Sequence, residues 1–225
     1  METEIKTLRL ALPFRMGSVN CYLIKTGAGH ILIDCGGTNN RKELSSELEG
    51  AGCKPGLLGL IVLTHGDFDH TGNAAYLRRG FGAKIAMHPD DTGMVEHGDM
   101  FASRKKPNFL IRSLIPLFSR FGESERFTPD VLLNDGDDLS AHGFDAQVIS
   151  IPGHSKGSIG ILTAEGDLFC GDLLENIHEP VIGSLIDDLA AVSSSVQKLK
   201  SMNIGTVYPG HGKPFPMYLL KGEQD

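Results

Sequence analysis

Residues 59–70 read GLIVLTHGDFDH, and the change of character at Thr64 decides the fold. Gly59 to Thr64 is a short apolar run bounded by Gly and His, the pattern of a strand buried on both faces of a layered α/β protein. The next six residues carry His65, Asp67, Asp69 and His70. Polar groups at the carboxyl end of a buried strand stand where α/β architectures place their chemistry.

Upstream, IKTLRLAL (5–12), NCYLIKT (20–26) and HILIDC (30–35) read as strands, the last two joined as a hairpin by a Gly-Ala-Gly turn. Asn39 or Asn40 then caps a predicted helix that runs to about Ala51, with Gly50 and Gly52 as stop signals. Downstream, TGNAAYLRRG (71–80) predicts a short helix and AKIAMH (83–88) a strand. The second half repeats this grammar. DAQVISIP, SIGILTA and DLFCGD read as strands, and Asp187 starts a helix whose apolar positions Leu189, Val192, Val196 and Leu199 recur at helical spacing. TVYP (206–209) closes as a final strand. Two β-rich halves, each covered by helices, predict a four-layer αββα sandwich formed by one domain over 1–225.

The strand-end pattern recurs at three further places. His154 follows ISIPG, Asp172 follows LFCG, and His211 follows TVYPG. A lone His or Asp at such a place is usually a solvated turn residue, but repetition predicts convergence on one edge of the sandwich. Imidazoles and carboxylates suit zinc, iron or manganese, and four His with three Asp are about the complement of two metal sites that share a bridge.

T-H-G-D-F-D-H, P-G-H-S, G-D and P-G-H-G, in this order, resemble the metallo-β-lactamase superfamily, together with VNCYLI and LIDCGG near the start. The resemblance spans almost the whole chain. It implies a metal-dependent hydrolase with two divalent ions, most readily zinc, with iron or manganese as alternatives. One ion would be held by His65, Asp67 and His154, the other by Asp69, His70 and His211, with Asp172 bridging. Asp34 would orient the metal loop by hydrogen bonds, and Asp69 would also orient the attacking water or carry a proton.

Asp67 departs from the family pattern T-H-x-H-x-D-H, in which the second His stands at its place. Two divalent ions with three carboxylates leave a net charge of plus one, which a bridging hydroxide nearly cancels and which favours harder ions. On that count, Asp67→His restores the common balance and shifts preference towards zinc.

Composition narrows the function classes. The formal charge of −7 argues against nucleic acid as partner, and the site is expected to take a small molecule. Cys21, Cys35, Cys53 and Cys170 form no C-x-x-C pair, as expected of reduced thiols. No run approaches 18 apolar residues and METEIKTLRLALPFRMGS lacks a signal-peptide core, so the expectation is a cytoplasmic protein without integral membrane association.

The stretch 98–123 breaks the rhythm with five basic residues among apolar ones and with Pro107 and Pro116. It reads either as an amphipathic pair packed on the core or as a lid over the active site. The favoured activity is hydrolysis of a small-molecule ester, thioester, lactone or amide. Phosphodiester hydrolysis predicts a cationic wall from Arg104, Lys105, Lys106 or Arg112, and a diiron redox protein or a silent metal-binding module are the other readings. Lys156, Ser158 and Tyr208 lie where a substrate could be touched, and His88 at a strand end where it could line the pocket.

Overall fold

The computed structural model describes residues 4–102, 104 and 121–221. In the first sheet, β1 (Glu4–Ala11), β2 (Ser18–Thr26) and β3 (Gly29–Ile33) pair antiparallel in sequence. Strands β4 (Leu58–Val62), β5 (Lys84–Met87) and β6 (Val131–Leu132) then add in parallel, so the sheet runs in chain order. The second sheet holds β7 (Ala146–Ser150), β8 (Ile159–Thr163), β9 (Asp167–Gly171), β12 (Thr206–Pro209) and β13 (Phe215–Pro216), in the order β13-β12-β9-β8-β7. A small hairpin of β10 (Leu174–Glu175) and β11 (Val181–Ile182) stands apart from both.

Side-chain alternation explains why the sheets stack. Along β2 and β3, Tyr22, Ile24, Ile31 and Ile33 face a core shared with Val148, Ile159, Ile161 and Phe169 of the second sheet. Their neighbours Cys21, Leu23 and Leu32 turn to the opposite face, against Leu44 and Leu48 of α1 (Arg41–Gly50), Leu77 and Phe81 of α3 (Ala74–Phe81) and Val95 of α4 (Thr92–His97). The outer face of the second sheet packs Ile149, Leu168 and Val207 on Val192, Val196 and Leu199 of α5 (Leu189–Lys200). A strand apolar on both faces needs cover on both, and three cores between four layers provide it. This is the αββα sandwich.

The local readings need four adjustments. The HGDFDH segment holds its own short helix, α2 (Phe68–Thr71), and α3 begins only after Asn73. Asn40 stands at the start of α1 but does not cap it; its side-chain amide donates to the Ala11 carbonyl of β1 at 2.9 Å. Helix α5 starts at Leu189, not Asp187, because Asp188 Oδ1 accepts from the amides of Ala190 and Ala191. Leu189 therefore sits in the first turn and is exposed, while Val192, Val196 and Leu199 are buried. TVYP is not the last strand, since β13 pairs with it on the sheet edge.

The proposed lid at 98–123 falls largely on 103 and 105–120, outside the described residues. Among the described residues, no helix is long and apolar enough to cross a membrane.

Phe169 is fully buried at the centre of the inter-sheet core, with ring centroids 4.9 Å from Tyr208 and 5.1 Å from Tyr22. Phe169→Ala removes this aromatic filling and is expected to destabilise the fold by about 3–5 kcal/mol, read as a lower urea midpoint with an unchanged slope.

Candidate metal centre

Each ligand-type residue leaves the carboxyl end of a strand or the turn beyond it. His65, Asp67, Asp69 and His70 follow β4, His154 follows β7, Asp172 follows β9 and His211 follows β12. Parallel pairing of β9 with β12 sets two of these ends side by side. The close approach depends on Gly210, where an added Cβ would meet Asp172 Oδ1 at 2.1 Å and His70 Cε1 at 2.7 Å.

The four imidazoles share one polarity. His70 Nδ1 lies 2.8 Å from Asp34 Oδ2 and His211 Nδ1 lies 2.8 Å from the Ser18 carbonyl. His154 Nδ1 is hydrogen-bonded to the Leu185 carbonyl. His65 Nδ1 lies 2.9 Å from Thr64 Oγ1, whose own hydroxyl donates to Asp34 Oδ2. Carbonyl and carboxylate oxygens accept only, so Nδ1 carries the proton and Nε2 is the free donor of electrons. Asp34 anchors two of the four rings, holds the Thr64 amide at 2.9 Å, and adopts φ of 57°. Its role is the orienting one expected for it.

The Nε2 atoms face the carboxylates. His65, His154 and Asp172 form one cluster of converging ligand atoms, and Asp69, His70 and His211 form another. Asp172 joins them: Oδ1 lies 3.2 Å from His70 Nε2, and Oδ2 lies 3.1 Å from His211 Nε2 and 3.9 Å from His65 Nε2. Asp67 Oδ2 stands 3.0 Å from His154 Nε2 and 3.6 Å from His65 Nε2. Tetrahedral coordination with bonds of about 2.0 Å separates ligand atoms by about 3.3 Å, and these spacings bracket that value. Among the described residues, His65 Nε2, His70 Nε2 and Asp172 Oδ1 are also buried without a hydrogen-bond partner. Buried lone pairs aimed at carboxylate oxygens repel unless a cation lies between them. The donor set therefore fits two divalent ions.

Electrostatics agree. Burial raises the Asp172 carboxyl, but the imidazoles of His70 and His211 hold it well below the usual range. Burial lowers the His70 imidazole, yet Asp172, Asp69 and Asp34 push it well above. His211 responds likewise to burial and to Asp172 and is pushed up to about 9. The cluster selects positive charge, as protons or as metal.

Two residues complete the centre that the sequence did not assign to it. Asp91, fully buried, accepts from the amides of Gly66 at 3.0 Å and Gly157 at 2.9 Å and from Ser155 Oγ at 2.6 Å, tying the His65 loop to the His154 loop. It follows β5, so the strand-end rule that found the other ligands points to it as well. Arg104, one of the four residues that phosphodiester hydrolysis would place on a cationic wall, has its side chain buried, with its Nη1 on Asp67 Oδ1, its Nη2 3.2 Å from the His154 carbonyl and its Nε 3.2 Å from Asp187. Lys105, Lys106 and Arg112 lie outside the described residues. Arg104, Ser155, Lys156 and Asp187 line a cavity of about 230 Å³ beside the first cluster.

The other candidates have ordinary partners. Tyr208 stacks on Phe169 in the core, His88 Nδ1 accepts from the Asp90 amide, Lys156 pairs with Asp90, and Ser158 Oγ accepts from the Ser155 amide. The charge count made for Asp67 changes too, because the Arg104 guanidinium adds one positive charge in direct contact with it.

Because the His70, His154 and His211 imidazoles are held above their ordinary range, the metal-free centre carries protons at neutral pH that an ion must displace. Zinc binding at pH 7 is expected to release protons, so affinity falls as pH drops; calorimetry in buffers of different ionisation enthalpy checks this. Asp91→Ala strands three buried donors, each at about 1–3 kcal/mol. It is expected to lower the unfolding free energy by more than about 2 kcal/mol and to weaken metal retention on dialysis.

The sequence profile of the metallo-beta-lactamase superfamily matches residues 15–211. A hydroxyacylglutathione hydrolase of Haemophilus influenzae is 34% identical over 121 residues, covering 52% of this chain and 50% of that protein. An atrochrysone carboxyl ACP thioesterase of Aspergillus fumigatus is 25% identical over 219 residues, covering 94% of this chain and 56% of its own. The chain thus spans little more than half the length of these relatives. A crystal structure of a protein in a di-iron-bound form superposes with a TM-score of 0.72 at 28% identity, covering 94% of this chain and 96% of that one. With the profile matched across both sheets and all seven ligand-type residues, the chain belongs to the metallo-beta-lactamase superfamily.

Proposed function

We propose that this protein is a metal-dependent hydrolase that uses a dinuclear centre against a small-molecule ester, thioester, lactone or amide. The observation that carries the reading is the pair of donor clusters joined at Asp172, whose imidazoles are all anchored through Nδ1. His65, Asp67 and His154 would hold one ion and Asp69, His70 and His211 the other, with Asp172 between them. Ions held there supply Lewis acidity, which acidifies water and stabilises an oxyanion. The chain's own residues do the rest. Asp69, a third exposed and 3.6 Å from His211 Nε2, would orient the water and pass its proton to the leaving group.

Acyl thioesters are the first substrates to test, since two relatives are named for acyl transfer to water, one as a hydroxyacylglutathione hydrolase and one as an ACP thioesterase. A diiron redox protein is the second reading, drawn from the di-iron-bound neighbour, and iron-dependent visible absorption with redox turnover in place of hydrolysis would favour it.

Elemental analysis of the purified protein is expected to find close to two ions per chain, and a panel of thioesters, esters, lactones and phosphodiesters to show hydrolysis in the acyl group. A metal content that stays at zero after refolding with zinc, iron and manganese in turn overturns the reading. His211→Ala is expected to cut the rate by on the order of 100-fold or more while the circular-dichroism spectrum is kept, because only one edge ligand is lost.

A further inference from the structure

Asp67 places a carboxylate where the surroundings already hold Asp172, yet it is almost fully buried. A buried carboxylate needs a compensating charge. The compensation comes from Arg104. Its side chain is only 6% exposed, its Nη1 meets Asp67 Oδ1, and its Nη2 is held 3.2 Å from the His154 carbonyl, so the guanidinium is fixed from two sides. The other Asp67 oxygen, Oδ2, is left turned towards His154 Nε2 at 3.0 Å and His65 Nε2 at 3.6 Å. Asp187, about a quarter exposed, pairs with the Arg104 Nε at 3.2 Å on the side away from Asp67 Oδ1.

We propose that Arg104 is a positioning residue of the metal centre: it neutralises Asp67 and pins Oδ1, so that the Asp67–Arg104 pair presents one oxygen to the first cluster with the net charge of a neutral imidazole. The proposal rests on reading the site as a dinuclear metal centre. It restores the charge count. Two divalent ions, three carboxylates and the guanidinium sum to plus two, the value a histidine at position 67 gives without any arginine. A guanidinium suits the task because it stays protonated and its planar fork fits a carboxylate and a carbonyl at once.

A consequence follows for substitutions at position 67. Asp67→His does not restore the family's balance in this chain. It leaves the guanidinium against the first cluster with only Asp187 and the His154 carbonyl as partners, and the charge that Asp67 no longer cancels repels the incoming ion.

The test is the affinity of the weaker zinc equivalent, measured by competition with a chromophoric chelator, in four proteins: the native chain, D67H, D67H/R104M and R104K. D67H is expected to bind that ion at least tenfold more weakly, D67H/R104M to return to within about threefold of the native chain, and R104K to fall between the native chain and D67H, because the charge is kept and the fork that pins Oδ1 is lost. A double variant that binds no better than D67H, or an unweakened D67H, overturns the proposal. Where D67H does not fold, as judged by its circular-dichroism spectrum, the isosteric D67N with and without R104M carries the same comparison. Native protein that binds no second zinc at all fails the dinuclear reading itself, and so separates that failure from this one.

Discussion

Four imidazoles are held with Nδ1 hydrogen-bonded outward and Nε2 turned inward, and three carboxylates close the space between them. Much of the structure serves this arrangement. His65, Asp67, His70 and His154 are buried and Asp69, Asp172 and His211 partly so, and burial alone would drive each towards its neutral form. What opposes burial at Asp172, His70 and His211 is the opposite charge that each faces at close range. The backbone pays for the geometry in a few places, as in the left-handed Asp34, whose carboxylate then reaches Thr64 and His70 together.

The sandwich makes such a cluster possible. Strand ends are where the backbone leaves the hydrogen-bonded ladder, so their side chains project beyond the apolar cores instead of into them. The ligand-bearing strand ends of both sheets are brought to the same edge, and Asp91 locks two of their loops across it. Because the loops are tied to each other as well as to their strands, the ligands are held by rigid elements on both sides. Preorganisation of this kind lowers the cost of binding an ion and fixes its geometry.

Arg104 gives the centre a reach beyond its own strands. It comes from the stretch after α4, outside both sheets, and ends against a metal-facing carboxylate. Chain order sets Arg104 outside the strands of both sheets; its charge brings it to Asp67. A substitution at Asp67 therefore acts through Arg104, and its effect on the ions follows from the pair and not from the carboxylate alone.

By itself the sequence determined the layers and which His and Asp residues meet at the strand ends. The β-rich runs 20–26 and 30–35, whose successive side chains enter two different cores, the doubly apolar GLIVLT run and helical spacing through Val192, Val196 and Leu199 are local patterns, and local patterns are written in consecutive residues. The same holds for His65, Asp67, Asp69, His70, His154, Asp172 and His211, each marked by a strand that ends just before it. What only the tertiary structure decided are contacts between segments that share no period. The fork of Arg104 on Asp67 spans 37 residues and the bond from Ser155 to Asp91 spans 64. Such a pairing is set by how two loops lie once the sheets have stacked, and the same Arg or Asp would read as a surface charge in any unfolded stretch. Leu189 shows the converse: its helical spacing promises burial, but the cap at Asp188 fixes the start of the helix and leaves it in water.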